Sequence, residues 1–89
     1  MRKERDDVWK VPEAVVNKWK GHRVARWWIK SITGLWPAAD GTITRIYRET
    51  EKAILVELEY PLEQADGTLI TTSDEIWVPK SIVDRWVRA

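Results

Sequence analysis

The sequence contains no cysteine, no phenylalanine and a single histidine, His22. Without cysteine there can be no disulfide, thiolate nucleophile or cysteine-ligated zinc, and one histidine does not make a histidine metal site. No apolar run approaches the ~18 residues of a membrane-spanning helix, so we expect no membrane partner. The first residues (MRKERDD) lack an apolar signal core, which favours a cytoplasmic location.

A chain of 89 residues with 44% hydrophobic and 33% charged residues is typical of one small globular domain. We expect residues 1–89 to form that domain, with residues 1–8 as a charged, mobile tail. The single methionine and the abundant arginine, lysine and glutamate resemble the composition of thermophile proteins.

Tryptophan is unusually abundant in this chain. The seven tryptophans are Trp9, Trp19, Trp27, Trp28, Trp36, Trp77 and Trp86. A core of this size holds about three or four such rings, each burying ~200 Å². We therefore expect the remaining rings at the surface, where tryptophan marks contacts with a partner.

Charge is unevenly distributed along the chain, although the net charge is only +1. Residues 1–30 hold nine basic and four acidic residues, whereas residues 31–89 hold six basic and ten acidic residues. Five basic residues and no acid lie between Asn17 and Lys30. This polarity indicates an anionic partner, most often nucleic acid. The alternative is an ordinary solvated helix face.

Two segments near the ends of the chain resemble each other: residues 11–19 (VPEAVVNKW) and residues 78–86 (VPKSIVDRW). Every position is identical or similar except Glu13, which corresponds to Lys80. We call these segments the first and second Val-Pro copies. Two copies are too few for a solenoid array.

Each Val-Pro copy has the pattern of a short amphipathic helix. The proline suits the first helical position, where its missing N–H costs nothing. Two aliphatic residues and a tryptophan follow at i, i+1 and i+4, which places them on one helical stripe. The pattern predicts helices over 12–20 and 79–87, with Trp19 and Trp86 packed inward.

Residues 22–33 (HRVARWWIKSIT) fit a helical period better than strand alternation, which would leave both faces mixed. At 100° per residue, one side collects Val24, Ala25, Trp28, Ile29 and Ile32. The other side collects Arg23, Arg26, Trp27 and Lys30. Gly34 suits the C-terminal cap of this helix. A bulged strand is the alternative, because Trp-Trp-Ile favours β structure.

The centre of the chain has strand character. Segments rich in β-branched and large residues, separated by turn residues, occur at 42–48, 53–60, 69–72 and 75–78. Pro61 is expected to end the second of them. The sequence thus predicts an α+β domain: a small antiparallel three-stranded β-meander with an SH3- or OB-like curled sheet, flanked by short helices.

Residues 49–56 (ETEKAILV) followed by residues 76–82 (IWVPKSI) resemble a pattern of short, mostly uncharacterised phage and prokaryotic proteins. The resemblance covers residues 43–83 and implies a small curled β-meander. This chain departs from the pattern by the long insertion 60–74. In size it is also similar to small archaeal SH3-like and OB-like nucleic-acid binders, but it lacks their lysine-rich surface and any aromatic RNA-recognition motif.

The sequence offers no recognisable catalytic machinery. Its serines lack a Gly-X-Ser-X-Gly setting, and its four glycines do not cluster into a phosphate-binding loop. We therefore expect a binding module without a cofactor or metal rather than an enzyme.

The favoured hypothesis is a sequence-tolerant nucleic-acid-binding module that prefers single-stranded DNA or RNA. Basic side chains bind phosphates, and an exposed tryptophan among them stacks on an unpaired base. The candidate binding residues are Lys18, Lys20, His22, Arg23, Arg26, Trp27, Lys30 and Trp36.

Two alternatives stay open. One is a protein-interaction or homodimerisation module whose exposed tryptophans form an interface and which binds no nucleic acid. The other is a helix-turn-helix built from 12–20, Gly21 and 22–33, with the hairpin as a wing. Against it, the recognition helix would carry neither asparagine nor glutamine to read adenine.

Overall fold

The computed structural model describes residues 11–87. The predicted tail 1–8 and Trp9 lie outside this range. In chain order the elements are helix α1 (Glu13–Trp19), strand β1 (Arg23–Val24), helix α2 (Arg26–Thr33), strands β2 (Gly41–Glu49), β3 (Ala53–Glu63) and β4 (Leu69–Pro79), and a 3₁₀ turn (Lys80–Ile82).

The strands form one antiparallel sheet in the order β1-β2-β3-β4. Two shifts in the register of β2 against β3 act as bulges, which increase the local twist. The sheet accordingly curls into a half-barrel. This confirms the prediction of a small α+β domain with a curled antiparallel sheet, but the predicted number of three strands is wrong.

The core lies where α2 packs against the curled sheet. Its buried residues are Val24, Trp28, Ile29, Ile43, Ile46, Ile54, Val56, Leu58, Tyr60 and Val78. Helix α1 adds Val15, Val16 and Trp19 at the margin of this cluster. Gly41 allows α2 to approach β2, because a Cβ there would lie 2.8 Å from Ile29 Cδ1.

Tyr60 brings a polar contact into this core. Its hydroxyl donates a hydrogen bond to Asp74 Oδ2 across β3 and β4. Burial of the phenol, together with the neighbouring carboxylate, raises the pKa of Tyr60 to about 12. The phenol therefore stays protonated near neutrality and remains a donor to Asp74.

The region predicted as one helix over 22–33 divides into two elements. Arg23 and Val24 form β1, paired with Thr42 and Gly41 of β2, and α2 starts only at Arg26. Two residues are too few to show any periodicity, which is why the sequence pattern missed β1. From Arg26 onward the helix prediction is confirmed, including Gly34 as a left-handed C-cap with a φ of 81°.

The predicted helix 79–87 is wrong, whereas the helix predicted for the first Val-Pro copy is present as α1. The second copy makes only the 3₁₀ turn, and Val83 is already extended with a ψ of 130°. Asp84 and Trp86 follow with positive φ values of 63° and 60°. Trp86 is 53% exposed rather than packed in the core.

Pro61 does not end its strand, because β3 and β4 continue past it. The ladder of β3 with β2 stops at the Glu59–Thr42 pair, whereas β3 and β4 stay paired as far as Glu63 and Leu69. Pro61 tolerates this position because its carbonyl accepts from Ala38 N–H, on the side away from β4. Its missing N–H therefore removes no β3–β4 hydrogen bond.

Candidate nucleic-acid interface

An open groove of about 340 Å³ lies between the start of α2, the loop that follows α2 and the C-terminal segment. Its lining residues are Arg26, Trp27, Trp36, Asp40 and Trp86. We refer to it as the tryptophan groove. Three of its five lining residues are tryptophans that are each at least 42% exposed. Such a concentration of exposed rings is typical of a contact surface.

Helix α2 supplies the first side of the tryptophan groove. Asp40, which is buried, accepts a hydrogen bond from Arg26 N–H at 2.8 Å and so satisfies one of the unpaired donors at the helix N-terminus. The helix then turns Trp28 into the core, 8% exposed, and leaves Trp27 42% exposed. The structure thus confirms the predicted division of the Trp-Trp pair between core and surface.

The loop after α2 supplies the second side. Trp36 is 55% exposed, and two cations of α2 lie over its ring: Arg26 Cζ at 5.0 Å and Lys30 Nζ at 5.8 Å from the centroid. The loop is fixed by a β-bridge between Pro37 and Leu62. These cation–π contacts hold positive charge against an aromatic face.

The C-terminal segment supplies the third side. The ring of Trp86 meets that of Trp27 edge to face, with centroids 4.9 Å apart. Arg85 Cζ lies 4.4 Å from the centroid of Trp86. A bulky residue with positive φ is strained, and such strain concentrates at functional positions. Here the strained backbone of Trp86 holds its ring against Trp27.

Asp84 fastens this segment to β1. Asp84 N–H donates to Arg23 O at 2.8 Å, and Arg23 N–H donates to Asp84 Oδ1 at 2.9 Å. The other oxygen, Oδ2, hydrogen-bonds to His22 Nδ1. Partial burial raises the pKa of Asp84, but these hydrogen bonds and the nearby basic groups outweigh it and hold the pKa below its ordinary value.

The charge at the tryptophan groove is positive. Arg26, Lys30 and Arg85 lie over its rings, and among the described residues the acid that lines it is Asp40. Arg26 Nε is buried and has no hydrogen-bond partner within residues 11–87. The groove is therefore suited to a ligand that is anionic and has flat faces.

The structure groups four of the eight predicted binding residues at the tryptophan groove: Arg26, Trp27, Lys30 and Trp36. The others have different surroundings. Lys18 Nζ lies 5.2 Å from the centroid of Trp19, and Lys20 is exposed at the C-cap of α1. Neither is among the residues that line the groove.

The two other predicted residues serve the fold. His22 hydrogen-bonds to Asp84, and Arg23 donates from its guanidinium to the carbonyl oxygens of Gly41, at 3.2 Å, and Asp40, at 3.4 Å. Both residues therefore position the C-terminal segment and the loop after α2 next to the groove.

Sequence reasoning missed Arg85, Trp86 and Asp40. The signal that misled it was the Val-Pro repeat, which places Trp86 on a buried helical stripe. A tryptophan with positive φ cannot be predicted from a residue pattern, because that conformation depends on the contacts of Asp84 with β1.

Within residues 11–87 no group of histidine and acidic side chains is arranged to hold a metal ion. No helix in the same range is long and apolar enough to cross a membrane. The resemblance of residues 43–83 to short phage and prokaryotic proteins stays a prediction. Comparisons of the chain with protein-family models, curated proteins and solved structures gave no match.

Proposed function

We propose that the tryptophan groove binds single-stranded nucleic acid with little sequence preference. The observation that carries the proposal is the grouping of three exposed tryptophan rings with three cations: Arg26 and Lys30 lie over Trp36, and Arg85 lies over Trp86. Exposed rings stack on unpaired bases, and cations beside them contact the adjoining phosphates.

The preference for a single strand follows from the rings. In a duplex the base faces are already stacked on each other, whereas an unpaired base has a free face for Trp27, Trp36 or Trp86. Stacking does not distinguish among the bases, so little sequence preference is expected. The curled sheet is also in keeping with the SH3- and OB-like binders to which the chain is similar in size.

A cationic ligand is the other chemistry that a set of tryptophan rings can serve, since rings of this kind bind quaternary ammonium groups. The local charge argues against it. Arg26 and Lys30 already lie over Trp36, and Arg85 lies over Trp86. A further cation would meet their repulsion, whereas a phosphate would be attracted by them.

The test compares Trp27→Ala with Trp77→Ala by fluorescence anisotropy of a labelled single-stranded oligonucleotide. Trp77 is the matched control, because it is 43% exposed on β4 and does not line the groove. Trp27→Ala is expected to weaken binding by ~1–3 kcal/mol, the usual loss of one stacked base. Trp77→Ala is expected to bind like the wild type.

A salt series with Arg26→Ala examines the phosphate contact. The slope of log affinity against log salt is negative, and its magnitude is expected to fall by about one, the contribution of one phosphate contact. Equal binding by wild type and Trp27→Ala would contradict the proposal. Absence of any binding would overturn it in favour of the protein-interface alternative.

A further inference from the structure

The β3–β4 hairpin extends beyond the rest of the sheet as a two-stranded ribbon. Among the described residues, β3 leaves its ladder with β2 at Glu59, while four more pairs join β3 to β4, from Tyr60–Thr72 to Glu63–Leu69. Every residue from 63 to 70 is exposed. We refer to residues 60–72 as the arm.

The arm carries both acidic and apolar side chains. It contains two acids, Glu63 and Asp66, and no lysine or arginine. Near the tip, Leu69 is 59% exposed and Ile70 is 44% exposed. An isolated two-stranded ribbon is marginally stable and gains from covering such side chains.

We propose that the arm of one copy of this protein docks into the tryptophan groove of a second copy. The two surfaces are complementary in both charge and polarity. The groove offers exposed rings with Arg26, Lys30 and Arg85, and the arm tip offers Leu69 and Ile70 with its acids. Complementary charge also favours encounter and fixes orientation.

The partner is another copy, because the arm tip does not cover the groove of its own chain: Leu69 and Ile70 are exposed, and neither lines that groove. The loop that carries Trp36 is joined to the base of the arm by the Pro37–Leu62 bridge. Ile70 and Leu69 are held in the β3–β4 ladder opposite Leu62 and Glu63. Because this pairing fixes the two residues in the sheet, they are left exposed for a second copy.

Docking an arm into a groove joins two different surfaces, so a docked pair of copies keeps one free arm and one free groove. Such head-to-tail contacts build open chains or rings rather than symmetric dimers. An anionic strand that occupies the groove would compete with the arm. The inference depends on the groove as a binding surface but not on its ligand being nucleic acid.

The experiment is sedimentation velocity over a range of protein concentrations, without nucleic acid. Two variants each disable one surface: L69S/I70S on the arm and R26E/W27A at the groove. Each variant alone is expected to associate at least about tenfold more weakly than the wild type, the usual loss on removing interface anchors. High salt is expected to weaken wild-type association.

Mixing the two variants decides the geometry. One intact arm meets one intact groove, so the mixture is expected to form a one-to-one heterodimer and no longer species. Glu51→Lys, at an exposed position in the β2–β3 turn, is the charge control for Glu63→Lys on the arm, and only Glu63→Lys is expected to weaken association. The NMR amide spectrum of each variant shows whether that variant is folded.

Wild-type protein that stays monomeric at every concentration would overturn the inference. A mixture that fails to form the heterodimer while the wild type associates would also overturn it, since the contact would then be of another kind. Oligonucleotide binding by L69S/I70S is measured separately. That measurement tests the groove as a nucleic-acid site independently of the test of self-association.

Discussion

The two Val-Pro copies have similar sequences and different structures. Residues 11–19 contain helix α1, in which the N–H groups of Val15 and Val16 donate to Pro12 O. Residues 78–86 make a single 3₁₀ turn and then a second turn, in which Arg85 N–H donates to Ile82 O and Asp84 and Trp86 have positive φ values. We refer to residues 83–86 as the strap. The comparison isolates what local sequence decides and what tertiary contacts decide.

The local helix preferences of the two copies differ only weakly. Glu13 favours the positive end of the α1 dipole, whereas Lys80 at the matching position opposes it, and serine replaces alanine in the second copy. These terms amount to roughly 1 kcal/mol together. These preferences favour a helix in the first copy over the second, but they are too small to determine the conformation of either copy.

Tertiary contacts separate them strongly. Lys80 N–H donates to Lys52 O at the start of the second copy, and Asp84 is bonded to Arg23 and His22 at its end. Because hydrogen bonds to other segments of the chain hold both ends, the residues between them have no freedom to continue a helix. The first copy has no such anchor among the described residues at Asn17, the position that corresponds to Asp84.

The copies nevertheless meet at Glu49 of β2. Lys80 Nζ lies 2.9 Å from Glu49 Oε2, and Trp19 Nε1 donates to the same oxygen at 3.4 Å. The hydrogen bond from Lys80 is the main cause that lowers the pKa of Glu49. One carboxylate thus joins the end of α1 to the 3₁₀ turn.

The largest expected effect is a difference in stability between alanine substitutions of the two tryptophans that end the Val-Pro copies. Trp19 is half-buried against the core and Trp86 is exposed, so Trp19→Ala is expected to cost about 2–4 kcal/mol of unfolding free energy. Trp86→Ala is expected to change stability by less than about 1 kcal/mol but to weaken oligonucleotide binding by ~1–3 kcal/mol. Urea unfolding and anisotropy titration measure the two effects.

Equal stability losses from Trp19→Ala and Trp86→Ala would contradict this separation. They would mean that the second copy packs like the first, as its sequence alone suggests.

Asp84→Ala is expected to have the next largest effect. It removes the acceptor of Arg23 N–H and of His22 and releases the strap that places Trp86, at a cost of about 1–2 kcal/mol. The matched control is Asn17→Ala in the first copy, where alanine suits the helix and stability should stay within about 0.5 kcal/mol. Thermal unfolding of the two variants makes the comparison.

The pH dependence gives a separate measure of the same contact. Because the pKa of Asp84 is lowered in the folded chain, docking of the strap is fully present above the ordinary value of 3.8 and is lost as pH falls through the lowered value. The amide resonance of Arg23 is expected to report this. If the change in the Arg23 amide resonance is already complete at a pH well above 3.8, Asp84 does not hold the strap.

Much of the fold could be predicted from sequence because it depends on local periodicity. The positions of β2 and β3, helix α1, and the division between Trp27 and Trp28 all follow from side-chain spacing. What could not be predicted depends on contacts distant in sequence: β1 exists through its pairing with β2, and the strap through Asp84 and β1. Only part of the tryptophan groove could therefore be predicted from the sequence, since Trp86 belongs to the strap.

The smallest expected effect comes from exchanging the one dissimilar position of the repeat. Glu13→Lys places a cation at the positive end of the α1 dipole and is expected to cost about 0.3–1 kcal/mol. Lys80→Glu breaks the partly exposed pair with Glu49 and is expected to cost about as little, up to ~1 kcal/mol. Circular dichroism should show no added helix in Lys80→Glu, because Asp84 still ties the strap to β1. A gain in helical signal would show instead that local sequence, and not docking, decides the difference between the copies.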